Sequence, residues 1–181
     1  METSRIPADP EHEVQTVDDL PPEDVVVNVS SQGRNNTERI LSNFADTPFT
    51  LGEKKFKSVE SFWQGLYFPD EETRQEVASL DGKDAKIFSR KKRQADTVTY
   101  EGQEINIGSA EHLALMEKAL EAKFQQNPAA LNALINTGNK PIIHIVFSPD
   151  GKRRRESETI PGTSFAGMLI AIRNELRQKP K

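Results

Sequence analysis

The helix that decides this fold is encoded by the sequence SVESFWQGLYF at positions 58–68. At about 100° per residue, Val59, Phe62 and Leu66 fall on one face of a helix, which is the pattern of residues that pack on a core. Ser58 precedes this run, and its hydroxyl can accept a hydrogen bond from an amide of the first helical turn. The sequence therefore predicts an amphipathic helix that begins after Ser58 and runs to the end of the segment.

The neighbouring face of this helix is polar in an unusual way. Glu60, Gln64 and Tyr67 fall within about 60° of one another, and Trp63 lies at the border between the two faces. A face that only contacts solvent usually carries several Lys, Arg and Glu side chains. Gly65 also lies inside the helix, where it costs about 1 kcal/mol relative to Ala, which indicates close approach of another backbone or a ligand. Two interpretations remain open: a ligand pocket, and a surface Glu beside a Trp that packs on the core.

The segments on both sides of this helix mix short strands with helices. β-branched residues predict strands at 25–29 and 142–147, and alternation with turn residues predicts hairpins at 49–59 and 98–107. Capping residues, apolar stripes and helix-ending glycines predict further helices, at 70–80, 84–93, 109–124, 128–136 and 162–176. Strands and helices follow one another without a regular βαβ order. The predicted fold class is therefore α+β: a small, mostly helical single domain with short hairpins.

The N-terminal segment differs in composition from the rest of the chain. The first 25 residues hold eight acidic residues, one arginine and four prolines, although the 181-residue chain carries a net charge of only −4. Such a segment has too little apolar surface to offset its ordering entropy. We therefore predict a disordered acidic tail at 1–24 and a folded domain at 25–181. The tail is either an inert solubilising segment or a shield for a basic face of the domain.

The composition excludes several kinds of site. The chain contains no Cys, which rules out disulfides, thiolate zinc sites and a cysteine nucleophile. No grouping of His, Asp and Glu has the spacing of metal ligands, so no metal or other cofactor is expected. No apolar run approaches the roughly 20 residues that span a bilayer, and the N-terminus lacks the apolar region of a secretory signal. The expected location is the cytoplasm, without membrane contact.

Several motifs occur in an order that resembles one protein family. LSNF at 41–44, Pro48-Phe49, Phe56 and SVESFWQ at 58–64 resemble the NADAR family, also called YbiA-like. Its members show a Ser-Asn-Phe segment, a hairpin and a helix of the form S/T-x-E-x-x-(aromatic)-Q-x-x-K-(aromatic). The chain is similar to the same family further on, at Ala85-Lys86 with Arg90, at 115–124, at 131–134 and at 159–162. The similarity covers residues 40–177, so the chain resembles a divergent member of the family.

The resemblance implies a YbiA-like fold and hydrolysis of an N-glycosidic bond between ribose and a base, without a metal. The family's substrates are ribosylated aminopyrimidine intermediates of riboflavin synthesis and ADP-ribose attached to guanine bases. The expected partner is therefore a nucleotide or ADP-ribosyl substrate, with a modified nucleic acid as one form of it. The implied catalytic residues are Glu60, Tyr67 and Lys86. The implied substrate-binding residues are Ser42, Asn43, Phe44, Trp63, Gln64, Arg90, Glu156 and Thr159.

These residue types suit that chemistry. Cleavage of a ribosyl C–N bond builds positive charge at the anomeric carbon, which the Glu60 carboxylate can stabilise. The same carboxylate can accept hydrogen bonds from ribose hydroxyls. Trp63 and Tyr67 can stack against a base or a sugar, and Asn43 and Gln64 can orient a hydroxyl or the leaving base.

Two positions depart from the family pattern. Tyr67 stands where many members carry the lysine that is understood to form a Schiff base with opened ribose, and a tyrosine cannot form one. Lys86 can substitute only if the fold brings it to the same place. The Trp-Gly-Asp segment of the riboflavin-linked branch is also missing, and Glu156 or Glu158 is the candidate second carboxylate. The Tyr67 replacement supports an alternative function, a catalytically impaired module that binds ADP-ribose, NAD or a related nucleotide.

Two basic runs and two histidines leave further alternatives open. The runs at 90–93 and 152–155 fit either phosphate or nucleic-acid contact or solvated charged turns. On the first interpretation the chain can also be a nucleic-acid interaction protein. His144 is expected to be a core histidine with satisfied hydrogen bonds. His112 is expected at the surface or behind the pocket wall.

Overall fold

Helix α2, which carries the SVESFWQG sequence, lies at the centre of the folded part of the chain. The computed structural model describes residues 11–92, 96–155 and 160–179. Within them, the helices are α1 (Asn36–Ile40), α2 (Val59–Gly65), α3 (Glu71–Ser79), α4 (Gly82–Lys92), α5 (Ala110–Gln126), α6 (Pro128–Asn136) and α7 (Gly162–Gln178). The strands are β1 (Val27–Asn28), β2 (Phe49–Leu51), β3 (Lys54–Phe56), β4 (Thr97–Tyr100), β5 (Gln103–Asn106) and β6 (Ile142–Ile143). Helices of 5 to 17 residues, together with strands of two to four residues, confirm the predicted α+β class.

Helix α2 begins as its sequence predicts. Ser58 Oγ accepts a hydrogen bond of 3.1 Å from the amide of Ser61, and the Ser61 hydroxyl oxygen accepts one of 2.9 Å from the amide of Ser58. This reciprocal cap satisfies two amides that a helix N-terminus otherwise leaves unpaired. The predicted core face is buried, with Val59, Phe62 and Leu66 at most 3% exposed. The helix packs against α3, α4 and α5.

The C-terminal end of α2 differs from the prediction, because the helix ends at Gly65 rather than near position 68. Residues 66–68 form i to i−3 hydrogen bonds, which tighten the last turn. A Cβ at Gly65 would lie 3.7 Å from the carbonyl oxygen of Arg74 in α3. The nearest neighbour of this glycine is therefore the backbone of α3, at an ordinary van der Waals distance that leaves room for a Cβ.

The strand pairs are short, and the pairing of β1 with β6 shows why. These two strands are parallel and pair Val27 with Ile142 and Asn28 with Ile143. Beyond this point the Asn28 side chain, instead of the main chain of β1, forms hydrogen bonds with the segment after β6. Its Oδ1 accepts a hydrogen bond from the amide of Ile145 (2.8 Å), and its Nδ2 donates one to the carbonyl of Ile145 (3.0 Å). The predicted strand 142–147 is therefore reduced to a two-residue ladder, extended by side-chain hydrogen bonds. The two predicted hairpins are present, as the antiparallel pairs β2–β3 and β4–β5.

Part of the acidic N-terminal segment contacts the folded domain within the residues that the structure describes. Within 11–24, Val14 is only 1% exposed and packs beside Val26, Ile143 and Ile145. Backbone hydrogen bonds join this segment to the turn after β6, from the amide of Val17 to the carbonyl of Gly151 (2.8 Å) among others. One valine and a few main-chain hydrogen bonds are enough to dock a segment whose average composition is polar.

Candidate ligand-binding cavity

A cavity of about 380 Å³ lies beside the polar face of α2. Its wall comes from six parts of the chain: the loop after α1, α2 with the turn that follows it, α4, α5, the segment after β6, and the start of α7. Nine of the side chains that the sequence singled out line this one cavity: Ser42, Asn43, Phe44, Glu60, Trp63, Gln64, Tyr67, Lys86 and Arg90. Glu156 and Thr159 lie outside the described residues. The fold thus brings the nine residues together, while their roles stay predictions.

Glu60 is the acidic side chain of the described cavity wall. It is 6% exposed, and its Oε1 accepts a 2.7 Å hydrogen bond from Gln64 Nε2, one helical turn later. Burial raises the pKa of Glu60 above its ordinary value, while the Gln64 hydrogen bond and the positive charges of Lys86 and Arg90 oppose this shift without cancelling it. A carboxyl group with a raised pKa at a cavity wall is a candidate for proton transfer.

The Ser-Asn-Phe loop holds a buried polar atom without a partner. Asn43 Oδ1 is buried and accepts no hydrogen bond from any described residue. Among the described residues, Asn43 Nδ2 donates to the sulfur of Met116, at 3.6 Å. A buried oxygen left unpaired costs about 1–3 kcal/mol. A ligand hydroxyl or amine in the cavity would remove that cost.

The aromatic part of the wall is supported from behind by a histidine. Trp63 stacks on His112 with ring centres 4.0 Å apart and planes at 13°, and Tyr67 contacts the same ring edge-on at 6.4 Å. His112 is fully buried, and its Nδ1 accepts a 3.0 Å hydrogen bond from the amide of Gly108. Burial lowers the pKa of His112 to about 4, so the ring is neutral at pH 7. Of the two positions expected for His112, the structure gives the one behind the pocket wall.

The cavity wall also carries a cationic group of side chains. Lys86 and Arg90 reach it from α4, and Arg153, Arg154 and Arg155 reach it from the segment after β6. The Lys86 ammonium lies 5.3 Å from the centre of the Phe44 ring. Five cationic side chains against one carboxylate make the described wall favourable for an anionic ligand. Three of the four residues in the basic run 152–155 therefore line the cavity. The sequence alone had left two interpretations of this run open, phosphate contact and a solvated turn.

Arg153 is held by the N-terminal segment. Its guanidinium Nη1 donates to the carbonyls of Glu11 (2.6 Å) and Val14 (3.1 Å), and its amide donates to the carbonyl of Gln15 (2.8 Å). Arg154 and Arg155 are exposed. The docked part of the acidic segment therefore fixes one of the cations at the cavity.

His144 is a wall residue that the sequence interpretation missed. It was expected in the core, and its Nδ1 is indeed hydrogen-bonded to the carbonyl of Val29 at 2.6 Å. The ring nevertheless lines the cavity and packs edge-on against Phe165 at 4.9 Å. Strand alternation carried a usable signal: Ile143 and Ile145 point to one side and are buried, so the residue between them points to the other.

The described residues hold no group of three His, Asp or Glu side chains that could bind a metal ion. Among these residues there is also no helix long and apolar enough to cross a membrane.

The fold is that of a small α+β protein of the YbiA-like fold class. The NMR structure of the E. coli protein YbiA matches with a TM-score of 0.60, covering 91% of this chain and 90% of that chain. The two sequences are 20% identical, so this similarity concerns the fold. The family described as Bacteriophage protein GP30.3 matches residues 36–174, and the chain belongs to this family, which is related to NADAR. A search of the curated proteins found no match.

Proposed function

We propose that this protein is an N-glycosidase that cleaves the bond between ribose and a base in an ADP-ribosylated or ribosyl-nucleotide substrate. The observation that carries the proposal is that one buried carboxylate, Glu60, and five cationic side chains line the same cavity. The carboxylate suits the reacting carbon of the sugar, and the cations suit phosphate groups attached to it.

Hydrolysis requires little beyond what this wall contains. The bond from the anomeric carbon to the base nitrogen breaks, a bond from that carbon to a water oxygen forms, and a proton from the water ends on the leaving base. Positive charge develops on the sugar during this exchange, and the Glu60 carboxylate stabilises it. The same carboxylate can accept the proton of the attacking water, which is general-base help of about 10²–10⁴-fold.

Other wall residues support binding of the same substrate. The unpaired Asn43 Oδ1 can accept a hydrogen bond from a ribose hydroxyl or from the leaving base. Trp63 and Tyr67 form an aromatic surface of the cavity, suited to a base or a sugar face. Arg154 and Lys86 offer cations to phosphates.

Tyr67 directs the proposal towards direct hydrolysis rather than a Schiff-base route. The described wall contains one amine, that of Lys86, which is half-buried beside Phe44. If Lys86 formed a Schiff base with opened ribose, borohydride would trap a covalent adduct that Lys86→Arg would abolish. We expect no adduct in either protein, with Lys86→Arg retaining turnover because it keeps the charge.

The decisive test is Glu60→Gln, with Glu117→Gln as the matched control on an exposed part of α5. Substrates are an oligonucleotide carrying ADP-ribosylated guanine and a ribosylated aminopyrimidine phosphate, and release of base or ADP-ribose is measured by chromatography. We expect Glu60→Gln to lower kcat by about 10²–10⁴-fold and the control to leave it unchanged. Normal turnover by Glu60→Gln would remove Glu60 from the mechanism.

The second candidate function is a nucleotide-binding module without catalysis. It is favoured by Tyr67, which stands where many members of the resembled family carry a lysine amine. The chain has a single tryptophan, Trp63, so ligand binding can be followed by its fluorescence without interference. Saturable quenching by ADP-ribose together with no turnover of either substrate would favour the module. A Tyr67→Lys variant that gains turnover would favour it as well.

A further inference from the structure

Lys123 is a buried cation that the proposed chemistry does not use. It lies in α5 and is fully buried. Its ammonium donates hydrogen bonds to the main-chain carbonyls of Ile40 (2.7 Å) and Ser42 (2.9 Å). No salt bridge pairs it with a carboxylate anywhere in the described residues. Within the described residues, this buried lysine is therefore held by two main-chain carbonyls and by the Phe124 ring, whose centre lies 5.5 Å from Nζ.

The two carbonyls belong to the loop that forms one wall of the cavity. Ile40 is the last residue of α1, and Ser42 stands directly before Asn43. The carbonyl of Asn43 in turn accepts a 2.9 Å hydrogen bond from the amide of Glu60. Three hydrogen bonds thus connect Lys123 through the loop to the first turn of α2, where the proposed catalytic carboxylate lies.

Burial of the charge works against a lysine at this position, and its two hydrogen bonds work in favour of it. Burial lowers the pKa of Lys123 to about 7, because the ammonium loses its hydration and gains no counter-ion. A methionine would fill a similar volume without that penalty. What a methionine cannot do is donate hydrogen bonds to two carbonyls that lie close to each other in one loop.

We propose that Lys123 is a positioning residue for the cavity, which fixes the loop at 40–44 and through it the places of Asn43 and Glu60. The catalytic consequence rests on the proposed function, whereas the positioning of the loop does not. Lys123 itself stays behind the wall and contacts no substrate.

The test compares Lys123→Met with Lys118→Met, an exposed lysine of the same helix. Hydrogen exchange of backbone amides is measured by NMR. We expect the Glu60 amide to exchange about tenfold faster in Lys123→Met, because its acceptor is no longer fixed, with α5 amides such as that of Leu120 unchanged. Lys118→Met should match the wild type throughout. Unchanged exchange at Glu60 would overturn the proposal, as would equal acceleration at Leu120, which indicates general destabilisation.

Kinetics give the second measurement. We expect kcat of Lys123→Met to fall about 100-fold, the size of effect expected from a misplacement of about 1 Å, with KM changed much less. Lys123→Arg keeps donors at this position, and it decides the matter if the Met variant does not fold. A folded Lys123→Arg with Glu60 protection close to the wild type supports the proposal, and loss of that protection refutes it. If the wild type turns over neither substrate, the proposed function fails, while the exchange result still decides the positioning.

Discussion

The buried His112 leads to a prediction about stability at acidic pH. Its ring is stacked under Trp63, and its Nδ1 already accepts a hydrogen bond from Gly108. A protonated ring would have to carry a hydrogen on Nδ1, opposite the Gly108 amide, and would hold a charge without water. We therefore expect the folded protein to resist protonation of His112 when the pH falls.

The size of the effect follows from the change in pKa. The pKa of His112 falls from an ordinary value of 6.5 to about 4 in the folded protein. Between these two values the unfolded chain binds a proton that the folded chain does not, so the free energy of unfolding decreases as the pH falls. Each pKa unit corresponds to about 1.36 kcal/mol, which gives a loss of about 3 kcal/mol across the window. Above pH 6.5 this contribution is fully present, and below pH 4 it is lost.

The assay is urea unfolding at a series of pH values from about 7 to about 4.5, followed by the fluorescence of Trp63. Other groups also affect the pH dependence of stability, among them Glu60, whose raised pKa acts in the opposite direction. His112→Asn isolates the histidine, because its side-chain oxygen can still accept from Gly108 but does not titrate. We expect this variant to be less stable at neutral pH and to lose about 3 kcal/mol less than the wild type over the window.

The refuting result is a parallel loss of stability in the two proteins. If the wild type and His112→Asn decline together as the pH falls, His112 is protonated in the folded state as easily as in the unfolded state. Its position under Trp63 would then not exclude the charge.

Two further predictions compare matched positions. A Cβ at Gly82 would lie 2.8 Å from the Cα of Phe44, so Gly82→Ala should lower the free energy of unfolding by about 1–3 kcal/mol and weaken ADP-ribose binding. A Cβ at Gly167 meets open space, so Gly167→Ala should stabilise α7 by about 0.4–1 kcal/mol. Thermal unfolding measures the stability and Trp fluorescence the binding, and equal effects of the two variants would contradict the crowding at Phe44. Val14 is 1% exposed and Val17 is 44% exposed. Val14→Asp should therefore release the N-terminal segment and speed its proteolysis about tenfold, while Val17→Asp should not. Equal cleavage rates would show that burial of Val14 does not hold the segment.

The local features of α2 could be predicted because they depend on neighbours in the sequence. The Ser58 cap and the buried face of Val59, Phe62 and Leu66 follow from hydrogen bonds and spacing within a single helix. The hydrogen bond at the helix end could not be predicted, since the carbonyl of Leu66 accepts it from the amide of Thr99 in a hairpin distant in sequence.

The sequence predicted the motif residues of the candidate site better than the other residues that line the same cavity. Nine side chains chosen from motifs line one cavity, but three arginines and His144 joined them only through the path of the chain after β6. That path is set by the side chain of Asn28 and by contacts with the N-terminal segment. The average composition of such a segment does not show that one of its residues, Val14, is buried against the domain.

The sequence by itself determined the α+β class, the capped amphipathic helix and the polar stripe of Glu60, Gln64 and Tyr67, because each depends on residue types and on the regular spacing of one element. The tertiary structure alone decided that the stripe faces a cavity rather than solvent, and which cations share it. It also decided that His112 lies behind Trp63 and that Lys123 holds the loop before Asn43. These relations join residues far apart in sequence, and hydrogen bonds, stacking and burial between such residues exist only once the chain has folded.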